Sequence, residues 1–126
     1  MLSDRRAHTT LPSSDIDALR PFYEDILGFT PRAVMPGAVL YDAGAGSVFA
    51  ISRGSVPSGG SHTQIAFTVD DIEAEVAELR GRGIVFEEYE APKTQDGIAT
   101  IGPGRAAWFK DPQHNVLAVI QFDESV

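Results

Sequence analysis

A strand that runs into an Asp-led helix occurs twice in this chain. The first runs from His8 to Asp15 and enters a stretch with apolar residues at Ile16, Leu19, Phe22, Tyr23, Ile26 and Leu27, stopping at Gly28. The second runs from His62 through Gln64 and Phe67 to Asp71. It continues into Ile72, Val76 and Leu79 and stops at Gly83. His8 stands seven residues before Asp15, and Gln64 stands seven before Asp71. In each copy an alternation of period two gives way to a period of 3.6 across a helix-capping residue (Ser14 or Asp15 in the first), and a glycine ends the helix. Pro21 falls inside the first apolar stripe and is expected to kink that helix or mark its first turn.

The segment after each helix repeats as well. Residues 29–35 read as a strand, and 38–43 and 47–53 as a hairpin joined by Gly44-Ala45-Gly46. In the second half, 84–89 reads as a strand. Residues 91–105 form a long Gly/Pro-containing loop with an extended piece at 98–101, and 106–110 and 116–122 are strands around Asp111-Pro-Gln-His-Asn115. The unit is β-α-β-β-β, twice. The expected fold class is α+β, with two such units forming a curved mixed sheet around a cleft and helices outside. The expected organisation is one domain over 1–126, with repeat units at 7–53 and 62–122. The linker at 54–61 contains Pro57, Gly59 and Gly60.

Charge and composition exclude several functions. The net charge is −8, the wrong sign for a nucleic-acid partner; it allows attraction of a cationic ligand, with plain solubility as the competing reading. No apolar run reaches the ~18 residues of a membrane span, and the opening residues lack the apolar stretch of a signal peptide. Cys is absent, which removes disulfides and thiolate chemistry. A cytoplasmic location is the resulting expectation. No Gly-x-Ser-x-Gly motif is present, and the Gly-rich pieces do not lead from a strand into a helix, so neither a serine nucleophile nor a phosphate cradle is expected.

Three stretches, in this order, resemble the vicinal oxygen chelate superfamily, which includes glyoxalase I, extradiol dioxygenases, fosfomycin-resistance enzymes and bleomycin-resistance binding proteins. They are His8…Asp15…Phe22-Tyr23…Leu27-Gly28-Phe29, then Ile65-Ala-Phe-Thr-Val-Asp70-Asp71-Ile72, then Trp108-Phe-Lys-Asp111-Pro112-Gln-His-Asn115. Metalloenzymes of that group draw ligands from four equivalent strand positions. The resemblance carries these onto His8, Gln64, Phe49 and Ala118, the last two by counting seven residues from Asp42 and from Asp111. One imidazole, one amide, one phenyl ring and one methyl do not make the three or four N/O donors of a catalytic metal site. The hairpin glutamate that often serves as base is missing too. No metal and no cofactor are therefore expected. His62 lies two residues before Gln64 on the same sheet face, but a strand step of ~6.5 Å is long for one coordination sphere. His114 is expected to face solvent.

Strand alternation then gives the lining of the cleft. Val39 and Tyr41 are expected beside Phe49, Ile51 and Arg53. Trp108 is expected opposite Ala118 if Lys110 pairs with Val116. His8, Thr10, Gln64, Ala66 and Thr68 complete the floor. The expected ligand-binding residues are His8, Val39, Tyr41, Phe49, Ile51, Arg53, His62, Gln64, Trp108 and Ala118. A core role for Phe49 and Trp108 is the competing reading. The expected function is metal-free binding of a small aromatic or cationic molecule, resembling the bleomycin-resistance proteins and hence antibiotic resistance. The alternatives are a metal-dependent glyoxalase- or dioxygenase-like enzyme using His8 as its catalytic residue, and a metal-free enzyme with His8 or His62 as acid/base. The resemblance also implies a homodimer, and the 91–105 loop reads as a lid or as a surface loop.

Overall fold

The computed structural model describes residues 1–54 and 62–123. The 55–61 stretch, with most of the expected linker, lies outside the described residues. The chain divides into two compact units, Met1–Pro57 and Ser58–Val126.

In the first unit, β1 (Thr9–Ser13) leads into α1 (Ile16–Pro21), followed by β2 (Pro31–Met35), β3 (Ala38–Asp42) and β4 (Val48–Arg53). Asp15 is the cap: its carboxylate accepts from the Ala18 amide at 3.1 Å. Pro21 has no N–H to donate, and after it the chain runs into a wider π turn over Phe22–Ile26, closed by Leu27 N donating to Phe22 O at 3.0 Å. Gly28, at φ +83°, is the left-handed stop that lets Phe29 N reach back to Tyr23 O. The sheet order is β1-β4-β3-β2, with β1 and β4 parallel and the other pairs antiparallel.

The second unit repeats this plan with β5 (Thr63–Thr68), α2 (Ile72–Gly81), β6 (Ile98–Ile101), β7 (Gly104–Lys110) and β8 (Val116–Phe122), in the order β5-β8-β7-β6. Asp71 caps α2 through the Ala74 amide at 3.1 Å. The Gln121 side chain takes a second helix-terminal donor, Ile72 N, at 2.9 Å. The two β-α-β-β-β units and the α+β class are as the sequence predicts. Among the described residues no helix is long and apolar enough to cross a membrane.

Two expectations are corrected. Residues 84–89 do not form a strand; Phe86 makes a single bridge to Phe109. Residues 98–101 are the second strand of this unit and the edge of its sheet, because β6 occupies the β7 edge from Gly104 to Ala107 and leaves only its far end for Phe86. The 91–105 stretch is ordered by its own hydrogen bonds and is not a loose loop. Thr94 closes residues 89–94, donating its amide to Tyr89 O (3.0 Å) and accepting from Tyr89 N at its hydroxyl (2.8 Å). Asp96 and Gly97, at φ +53° and +81°, then make a tight hairpin turn into β6.

Candidate functional site

Pairing register decides which residues share a face. In the first unit Thr9 is opposite Phe49 and Leu11 opposite Ile51, while Phe49 is opposite Tyr41 and Ile51 opposite Val39. Phe49 therefore lies on the face of Thr9 and Leu11, not on the face of His8 and Thr10. The physical reason is parity. Asp42 pairs with Val48 in the first hairpin, and Lys110 pairs with Val116 in the second. Asp42 thus matches Lys110 rather than Asp111, and a one-residue shift carries every side chain to the other side of the sheet. The residue matching Ala118 is Ala50.

Val39, Tyr41, Phe49 and Ile51 are accordingly core residues, all at most 1% exposed. The Phe49 ring centroid lies 5.3 Å from Tyr41, 4.9 Å from Phe29 and 5.8 Å from Tyr23 of the helical segment. The Tyr41 hydroxyl donates to Glu24 at 2.9 Å, and Arg20 holds the same carboxylate at 2.6 Å. The Arg20 bond keeps Glu24 below the usual carboxylate range. Burial, and then the bond to Glu24, push the Tyr41 phenol well above its ordinary value. His8 is exposed just ahead of β1. Arg53 is exposed at the end of β4, beside a recess of about 210 Å³ that also touches Asp15, Arg20 and Met35.

The second unit holds the candidate site. A pocket of about 350 Å³ is lined by His62, Thr63, Tyr89, Ala91, Pro92, Trp108 and Val116. The expected pairings of Trp108 with Ala118 and Lys110 with Val116 are present. Trp108, Val116 and Ala118 share a buried cluster with Ala99 and Ala106, against which Tyr89 packs. The indole N–H of Trp108 donates to the Thr63 hydroxyl at 3.0 Å. The Tyr89 and Trp108 rings form a T-shaped pair, with centroids 5.6 Å apart and planes at 67°. Burial, and then the nearby Glu87, raise the Tyr89 phenol, while Lys110, paired with Glu87 at 3.3 Å, pulls the other way. Tyr89 is therefore a neutral hydrogen-bonding handle at neutral pH.

Gln64 is not presented as a ligand. Its carbonyl accepts from Val116 N at 3.1 Å and its amide donates to Asn115 at 3.0 Å. His62 joins the pocket wall from an exposed position, and His114 is exposed at φ +67° in its turn. Thr63 and Tyr89 are not among the residues that strand alternation selects. The end of an apparent strand gives no sign that Tyr89 turns into a pocket, and Thr63 depends on an irregularity in β5. A larger groove, about 390 Å³, lies between α2 and the β6 hairpin. Its two guanidinium groups are engaged, Arg80 by the Asp96 carbonyl at 2.8 Å and Arg105 by Glu73 at 2.6 Å.

Residues 5–119 match the profile of the Glyoxalase/Bleomycin resistance protein/Dioxygenase superfamily. No curated protein matches the chain. Among solved structures, TnmS3, an antibiotic-binding protein from Streptomyces sp. CB03234, is 26% identical over 93% of this chain and 97% of its own, with a TM-score of 0.69. A glyoxalase/bleomycin resistance protein from the same Streptomyces is also 26% identical, over 91% and 98%, at a TM-score of 0.66. The bleomycin resistance determinant encoded on the transposon Tn5 shares the fold at 21% identity, over 95% and 99%, with a TM-score of 0.70.

Proposed function

We propose that this chain, which belongs to the glyoxalase/bleomycin resistance protein/dioxygenase superfamily, is a metal-free binding protein for a small aromatic molecule of the antibiotic kind. Membership alone does not choose between enzyme and binder, because that fold carries both. The observation that carries the reading is the pocket in which Trp108 and Tyr89 stand edge to face beside Thr63 and His62. Aromatic walls with a few polar groups suit a planar organic molecule better than a reacting centre. The 26% identity to an antibiotic-binding protein supports the same reading.

The donor chemistry supports it as well. Among the described residues, no three His, Asp or Glu side chains gather as a metal site would require. The two hairpin positions carry methyl groups, Ala50 and Ala118, and the Gln64 amide is engaged within the sheet. The net charge of −8 favours a cationic ligand by attraction at a distance. Val39, Tyr41, Phe49 and Ile51 support the first unit, and the binding role narrows to His62, Thr63, Tyr89, Trp108 and Val116. Association as a homodimer belongs to the same proposal, since two-fold pairs are the commonest assembly.

The test is calorimetric titration with bleomycin and with 9-aminoacridine, a planar cation, in the presence and absence of EDTA. Saturable binding that EDTA does not change, and that Trp108→Ala abolishes, is the expected result. Absence of binding refutes the proposal. So does one tightly held metal ion per chain that His8→Ala removes, which selects the glyoxalase- or dioxygenase-like alternative.

A further inference from the structure

We propose that Thr63 is the positioning residue of the ligand pocket, fixing the plane of Trp108, and that a bulge at Gln64 exists to put it there. The inference rests on the binding reading above.

β5 and β8 pair out of step at one point. Thr63 is opposite Val116 and Ile65 opposite Leu117, so Gln64 is an extra residue in β5. Regular pairing continued from Ile65 sets Gln64 opposite Val116 and turns Thr63 to the face away from Trp108. The bulge reverses that, and the Thr63 hydroxyl comes within 3.0 Å of the indole nitrogen. A bulge disrupts the ladder locally, and here a side chain repairs it: the Gln64 carbonyl takes the Val116 N–H. The Gln64 amide is held in turn by Asn115, which is fully buried. Asn115 donates its backbone N–H and its side-chain amide to the two oxygens of Asp111, at 3.0 and 2.7 Å. Asp111 also takes the Gln113 N–H at 2.8 Å. The Asp111–Asn115 turn is thus tied, through Gln64, to the register that delivers Thr63.

The consequence for recognition is specific. With its N–H given to Thr63, Trp108, 8% exposed in the pocket wall, has no donor left for a ligand, and what it can give a planar ring is π surface. With Tyr89 against it at 67°, the indole presents one fixed plane. The pocket therefore selects planar rings by stacking, and Thr63 acts on them through Trp108.

Trp108 is the only tryptophan, so a nitrogen-15-labelled sample shows one indole N–H signal. Thr63→Val removes the acceptor at nearly constant volume, and Thr63→Ser restores it. The expected result is indole exchange with water about tenfold faster in Thr63→Val and close to wild type in Thr63→Ser. Affinity for 9-aminoacridine should fall by about tenfold in the first variant and recover in the second. In a Trp108→Phe background, Thr63→Val should cost clearly less affinity than in the wild type, because most of the effect passes through the indole. Unchanged exchange in Thr63→Val overturns the inference, as does faster exchange without loss of affinity, or an equal loss of affinity in the Trp108→Phe background. A wild type that binds no probe while the exchange pattern holds overturns the binding reading itself and takes the positioning role with it.

Discussion

Phe49→Ala separates a core residue from a ligand contact. Phe49 is 1% exposed and its ring meets Tyr23, Phe29 and Tyr41. Returning roughly 150 Å² of aromatic surface to water at ~25 cal/mol/Å² is worth about 4 kcal/mol, inside the ~3–5 kcal/mol range for such truncations. Cavity formation adds to this, since Tyr23 and Tyr41 are held by their own packing and, for Tyr41, by Glu24. For 126 residues unfolding as one two-state unit, the unfolding entropy is roughly 0.26 kcal/mol/K, and a loss of ~4 kcal/mol lowers Tm by about 15 °C. The assay is urea and thermal denaturation followed by far-UV circular dichroism, with 9-aminoacridine affinity measured on the folded variant at low temperature. The expected outcome is a large loss of stability with affinity within about twofold of wild type. A loss under ~1 kcal/mol together with abolished binding refutes the reasoning and returns Phe49 to the wall of a ligand site.

The Tyr41 phenol is raised from its ordinary 10.0, so the stability it confers is full below about pH 10. It is lost as pH rises further, where the unfolded chain ionises and the native one does not. Tyr41→Phe should flatten the fall in urea midpoint above pH 10, and equal alkaline slopes in both proteins contradict this. Glu24, lowered from 4.5 by Arg20, contributes above that pH and loses its contribution as pH falls, so Glu24→Gln should flatten the acid limb of the same profile. Asp71→Ala removes the acceptor for Ala74 N and should lower stability by about 1 kcal/mol by urea denaturation, with Asp71→Asn close to wild type. Gly97→Ala places a Cβ at φ +81°, 3.0 Å from Phe86 Cβ and 3.1 Å from Arg80 Nη2. A loss of about 2 kcal/mol is expected, and a neutral result would mean that the turn relaxes without strain.

Local rules made much of the fold readable. Asp15 and Asp71 are caps because a carboxylate reaches the amide three residues on, and Gly28 and Gly83 end helices because they take positive φ. Gly44-Ala45-Gly46 joins β3 to β4 as its composition suggests. The face of Phe49 was also within reach. The apolar stripe of the first helix, with Leu19 and Tyr23, needs an apolar sheet face to cover, and Val39, Tyr41, Phe49 and Ile51 form the most apolar one available. The competing core reading of Phe49 follows from that requirement.

The amino-acid order by itself determined the succession of elements and their repetition, since periodicity, caps and stops are written within a few residues of where they act. Only the tertiary structure decided parity and address. These are the pairing of Asp42 with Val48, the extra residue at Gln64, the choice of 98–101 over 84–89 for the β7 edge, and the meeting of Tyr89 with Trp108. Each depends on which distant strand supplies the partner. A strand carries its side chains with a period of two, so a single residue of register, invisible in local composition, moves a side chain from the core to the binding face.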